Sequence, residues 1–110
     1  MMNDKISEVS WYQEYSAAVV HIPERLSTAN VNDVEKQIKS LKADKKIILD
    51  MAACTLADSS ALGMFVRHKD TVKICTLTPV VQSLFELTRL NEVLDIHKSL
   101  FDALSAIQDQ

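Results

Sequence analysis

Near the middle of the chain, Asp58-Ser59-Ser60 sets a carboxylate beside two hydroxyls, immediately before the apolar run Ala61-Leu62-Gly63-Met64-Phe65. Hydroxyls at such a place can cap a helix, attack as a nucleophile or accept a phosphoryl group. Nucleophilic use calls for a G-x-S-x-G elbow, because only small residues tolerate the strained turn. Ala57 and Ala61 mimic that spacing around Ser59, but no glycine stands at either position, and the sequence offers no clear triad. Gly63 is the only glycine in 110 residues, and no GxGxxG or GxxxxGK phosphate cradle is present. His21, His68 and His97 lie far apart, and none is paired with Cys or carboxylates at ligand spacing. No metal and no cofactor is therefore expected. Cys54 and Cys75 sit in apolar segments without CxxC spacing and read as reduced core thiols. Taken from the residues alone, Asp58, Ser59 and Ser60 are first of all helix caps.

The elements around this segment decide what it can reach. Ile6 to Trp11 reads as a weak strand, and Ala17 to Ile22 as a stronger one, stopped by Pro23. Ser27, Thr28 and Asn30 offer caps for a helix whose buried face is Val31, Val34, Ile38 and Leu41. Ile47 to Met51 is nearly continuous in apolar residues apart from Asp50, as suits a central strand covered on both sides. Leu62, Phe65 and Val66 stripe a short helix after the Asp-Ser-Ser segment, and Arg67-His68-Lys69 complement its dipole. Val72 to Leu77 is a further strand, and Thr78-Pro79 starts a helix whose apolar face is Val80, Val81, Leu84 and Leu87. Leu94 to Ile96 reads as a last short strand. Leu100, Leu104 and Ile107 stripe a last helix.

Strands alternating with helices predict an α/β fold: one four- to five-stranded mixed, mainly parallel sheet with about four helices. Right-handed crossovers are expected to distribute the helices over the sheet faces. Ligand-facing groups of such sheets collect beyond the carboxyl ends of the strands, which is where Asp58 follows Asp50.

Length and composition bound the rest. One domain spanning residues 1–110 is expected, large enough to fold without disulfides or metals. With 47% hydrophobic residues and a net charge of −3, the chain is neither disordered nor basic. Nucleic acid is not expected as a direct partner. No signal-peptide pattern or membrane-spanning run is evident, so the chain reads as cytoplasmic, without membrane insertion.

Asp58-Ser59-Ser60-Ala61-Leu62-Gly63 resembles the DSSGLG signature of STAS domains, specifically the anti-sigma factor antagonists of bacterial partner-switching systems. Thr78 to Leu90 resembles that family's Ser-Pro-initiated helix and following turn. Leu26 to Ile38 falls on its first helix, and Leu94 to Ile107 is similar to its last strand and helix. The resemblance covers nearly the whole chain and implies a STAS fold and a protein without catalysis of its own. It implies that Ser59 is the residue phosphorylated by a partner kinase that doubles as the anti-sigma factor. Ser60 would be a neighbouring hydroxyl and a cap, and Asp58 would shape the loop and the kinase contact. Ala61, Leu62 and Gly63 would share in partner binding, with Arg25 and Ser27 from the segment before the first helix. The implied partners are a serine/threonine kinase with a histidine-kinase-like ATPase fold and a PPM-type serine phosphatase. An alternative within the family is a non-switching subunit of a membrane lipid-transport ABC complex. A different class, a small hydrolase using Ser59, lacks its elbow.

Three departures from the family pattern stand out, one of them a short helix after Gly63, with Asp70-Thr71 leading directly into the next strand. Ala61 replaces the usual glycine, which would stiffen the loop or restrict a partner's approach. Glu24-Arg25-Leu26-Ser27 replaces a Gly–acid–Leu–Asp stretch, which would alter that part of the partner surface.

Overall fold

The computed structural model describes residues 7–42 and 45–108. Strand β1 (Glu8–Tyr12) and a single 3-10 turn (Gln13–Tyr15) lead into β2 (Ala17–His21). They are followed by β3 (Arg25–Leu26), α1 (Val31–Leu41), β4 (Lys46–Asp50), β5 (Leu56–Ala57) and α2 (Ser59–Arg67). The chain ends with β6 (Val72–Cys75), α3 (Pro79–Leu87), β7 (Ile96–His97) and α4 (Leu100–Gln108). Five strands form one sheet in the order β1-β2-β4-β6-β7. Only β1 runs antiparallel to its neighbour. The mixed, mainly parallel α/β architecture is the one the alternation of strands and helices predicts. Ile6, expected in the first strand, lies outside the described residues.

β4 occupies the centre. Ile47, Ile48 and Leu49 are fully buried, so both of its faces meet apolar side chains, as its apolar run requires. Ile47 and Leu49, with Val20, Ile22 and Ile74, meet Val34 and Ile38 of α1, Met64 and Phe65 of α2, and Val81 and Phe85 of α3. Ile48, with Ala17, Val19 and Cys75, meets Ala103, Leu104 and Ile107 of α4. Three helices thus cover one face and one helix covers the other, a more uneven division than the expectation of helices spread over the faces. The strand order explains it. From β2 to β4 to β6 to β7 the chain steps always in the same direction, and right-handed crossovers then put α1, α2 and α3 on the same side. Helix α4 crosses to no further strand and takes the opposite face.

Some faces differ from their sequence reading. In α3, Val81 and Phe85 are buried, while Val80 is 60% and Leu87 83% exposed. Apolar residues span an arc of this helix wider than the core covers, so spacing alone does not say which part of the arc is buried. Phe65 of α2 selects one by packing edge-on against Phe85, with ring centroids 5.4 Å apart at 73°. In α2, Ala61 and Met64 join Phe65 inside, while Val66 is exposed. The last strand is Ile96–His97 rather than Leu94 to Ile96, and β6 stops at Cys75 rather than Leu77. Both thiols are free and buried, and burial pushes each above its usual value.

A second, two-stranded sheet has no counterpart in the sequence reading. β3 pairs parallel with β5, Arg25 opposite Leu56 and Leu26 opposite Ala57. Two-residue strands carry no alternation to read. This small sheet brings the segment before α1 beside the segment before α2.

Candidate functional site

The site is built where β5 turns into α2. Asp58, with extended backbone at φ −97° and ψ −174°, is the N-cap of the helix. One carboxylate oxygen, Oδ1, accepts from the Ala61 N–H at 3.1 Å, satisfying a first-turn donor. The other, Oδ2, accepts from the Thr28 N–H at 3.0 Å and from Thr28 Oγ1 at 3.3 Å. Thr28 Oγ1 also shares a hydrogen bond of 2.8 Å with Ser60 Oγ. The Asp58 N–H donates to the Leu26 carbonyl at 3.2 Å, continuing the line of the small sheet. The Ala61 N–H first, and then the Thr28 N–H, hold the Asp58 carboxyl below its usual range, so it carries its charge while the helix start stays intact.

Ser59 is the first residue of α2 and exposed. Among the described residues no side chain hydrogen-bonds to it. Ser60, expected to cap, does not: Asp58 holds that position, and the Ser60 hydroxyl is given to Thr28 instead. Ala61 is fully buried inside α2, so its methyl group packs in the core and not in a loop. Leu62 and Gly63 are half-buried, on the first two turns of the helix.

Arg25 is exposed and Ser27 half-buried, and the β3–β5 pairing sets both beside the Leu56–Asp58 segment. The Ser27–Asn30 turn uses its polar side chains to close on itself. Asn30 Oδ1 accepts from the Ser27 N–H at 2.9 Å, and Asn30 Nδ2 donates to the Arg25 carbonyl at 2.8 Å. None of them caps α1 by its side chain. The residues expected at the site therefore gather on one surface, Ala61 excepted. Thr28 and the 45%-exposed Leu56 join them, although no motif in the sequence marks either. Thr28 is thirty residues from Asp58, and no spacing in the sequence announces a bond of that range.

The far end of α2 is anchored separately. Arg67 donates to Glu35 of α1 through Nε at 2.9 Å and Nη2 at 3.1 Å, and His68 Nε2 lies 2.8 Å from Glu35 Oε2. The Arg67 hydrogen bonds, with His68 adding to them against the opposing effect of burial, bring the Glu35 carboxyl from 4.5 to about 2. At the other end of the loop, Thr78 Oγ1 donates to the Cys54 carbonyl at 2.7 Å and ties the β4–β5 connection to the start of α3. Among the described residues, no group of three or more His, Cys, Asp and Glu could hold a metal ion. Nor is any helix among them long and apolar enough to cross a membrane.

A rigid helix start that presents one unengaged hydroxyl beside a fixed carboxylate is suited to modification and docking. It has no base aimed at that hydroxyl. Comparison with known proteins agrees with the architecture. The STAS domain family matches residues 8–103. No curated protein sequence matches the chain. An anti-sigma factor antagonist from Mycobacterium paratuberculosis superposes with a TM-score of 0.80 at 21% identity, over 94% of this chain and 93% of that one. The Bacillus cell fate determinant SpoIIAA, in its phosphorylated form, gives 0.65 at 13% identity, over 92% of this chain and 98% of that one. A sulfate transporter family protein from Wolinella succinogenes gives 0.72 at 10% identity, over 84% and 85%. At these identities the likeness is one of fold.

Proposed function

The chain belongs to the STAS domain family, and on that premise we propose that it is an anti-sigma factor antagonist in a partner-switching pathway. Unphosphorylated, it docks on a cytoplasmic anti-sigma factor that is also a serine kinase. Phosphorylation of Ser59 releases it, and a PPM-type phosphatase restores the hydroxyl. The contact surface comprises Asp58, Ser59, Ser60, Leu62, Gly63, Arg25 and Ser27, to which Thr28 and Leu56 are added. The domain performs no turnover chemistry of its own in this role.

The observation that carries this reading is the state of Ser59: exposed, first in its helix and, among the described residues, with a hydroxyl that no hydrogen bond engages. A phosphate there adds about −1.5 to −2 charge units. The helix N-terminus tolerates that charge, so the fold survives. In a docked interface the same charge beside the Asp58 carboxylate brings repulsion and desolvation, so the complex does not survive. A non-switching subunit of a lipid-transport complex would have no use for an unengaged hydroxyl at this point.

The test begins with ATP and a candidate kinase of histidine-kinase-like ATPase fold, followed by intact-mass analysis. Wild type should gain one phosphate, lost again on phosphatase treatment, and Ser59→Ala none. Ser59→Ala should still co-purify with the kinase and Ser59→Asp should not. Equal binding of the two variants overturns the switch.

A further inference from the structure

Opposite the α1–α3 layer, three polar side chains stand in line on the sheet face that α4 only partly covers. Ser10 of β1 and His21 of β2 have Oγ and Nε2 2.7 Å apart. His21 Nδ1 and Asp50 Oδ2, on β4, are 2.8 Å apart. The register makes this alignment firm: His21 is the direct partner of Asp50, and Ser10 lies diagonally across from His21, opposite Val19. Asp50 is fixed on its second oxygen too, where Oδ1 accepts from the Ala52 N–H at 3.0 Å. A carboxylate anchored in this way accepts a hydrogen bond from Nδ1–H, which leaves Nε2 as an acceptor facing the serine hydroxyl. His21 is 33% and Asp50 18% exposed in their side chains, and Ser10 is half-buried, so the row is shielded without being sealed. The sequence hides it, because the three residues come from three strands and share no motif.

We propose that Ser10 is an activated nucleophile that accepts a single acyl or phosphonyl group from small electrophiles bearing a good leaving group. In the step, the Ser10 oxygen attacks the carbonyl carbon or the phosphorus, and its proton passes to His21 Nε2. The bond to the leaving group then breaks, and His21 returns the proton to the departing group. Asp50 stabilises the imidazolium through Nδ1–H. The net change is Ser10–OH plus acyl–X giving Ser10–O–acyl plus HX. The surroundings restrict the chemistry to one turnover. Around the row the β2 and β4 backbone is engaged in the sheet ladder, which keeps those N–H groups from the oxygen of a tetrahedral intermediate. Without such donors the second, hydrolytic half-reaction lacks its largest stabilisation, and the adduct accumulates. Ser59 has no base beside it and should stay unlabelled. This inference is independent of the partner-switching reading.

The experiment treats the folded chain with an alkyl fluorophosphonate, which loses fluoride, and follows intact mass and the labelled peptide. One adduct on Ser10 is expected. Ser10→Ala should show none, and His21→Gln should label about 100-fold more slowly, the lower range for removing a general base. Asp50→Asn should slow labelling by at least tenfold. Wild type unfolded in urea supplies the same comparison without substitution, and its labelling should vanish. No adduct on folded wild type overturns the proposal. So does an adduct on Ser59, or a Ser10 adduct forming as fast in a folded His21→Gln variant or in urea.

Discussion

Gly63 owes nothing to backbone freedom. It lies inside α2, and no glycine in the described residues has positive φ. A Cβ placed on it would meet Arg67 Nη1 at 3.3 Å, the end of a flexible side chain 54% exposed to solvent. The guanidinium can shift by the few tenths of an ångström required. Gly63→Ala should therefore stabilise the domain by about 0.5–1 kcal/mol, the helix-interior penalty of glycine. A thermal midpoint that falls instead would show that the Arg67–Glu35 pairing is spoiled. Because Gly63 is half-buried on the proposed docking surface, the same methyl group should weaken kinase binding while raising stability. At this scale residue types were enough to read Asp58 as a helix cap, and it is one. They assigned Ser60 the wrong bond, since its partner Thr28 comes from a segment thirty residues away.

At the scale of elements, helix ends show where local chemistry is strong or weak. Thr78-Pro79 starts α3 where the sequence places it, since proline pre-sets the first helical turn and its missing N–H costs nothing there. The other end of α3 is less well adapted. Arg89, just past the helix, has φ 64° and ψ 17°, a left-handed conformation that glycine adopts without strain. Its ion pair with Glu92 is 3.4 Å long between two largely exposed side chains and contributes little. Arg89→Gly should then raise stability by about 1 kcal/mol, or roughly 4–8 °C in thermal midpoint for a domain near this size. An unchanged or lower midpoint would refute the strain argument. The buried face of α3 illustrates the converse. Val80, Val81, Leu84, Phe85 and Leu87 span an arc wider than the core covers, and packing, the Phe65–Phe85 contact included, turns Val81 and Phe85 inward.

Across the whole molecule, α1 and α2 are fastened over the sheet by the Glu35–Arg67–His68 cluster. Glu35 titrates near 2 in the folded chain against its ordinary 4.5. A carboxyl lowered on folding stabilises fully above its unfolded value, and that contribution disappears as pH falls from about 4.5 toward 2. Glu35→Gln should cost about 1–3 kcal/mol at neutral pH, the range for hydrogen bonds to a charged group. The gap between the two stability curves should narrow steadily below pH 4.5 and close near pH 2. A gap that is constant across that window would mean the carboxylate charge is not what matters.

Periodicity and caps, both local, were enough to determine an alternating α/β chain, its central strand and two helix starts. They are written in neighbouring residues, and backbone sterics and water enforce them without reference to the rest of the chain. Only tertiary structure decided the β3–β5 pairing, the Thr28–Asp58 bond, the inward face of α3 and the Ser10–His21–Asp50 row. Each depends on segments brought together by sheet register and crossover handedness, and register is a property of paired strands that no single strand contains.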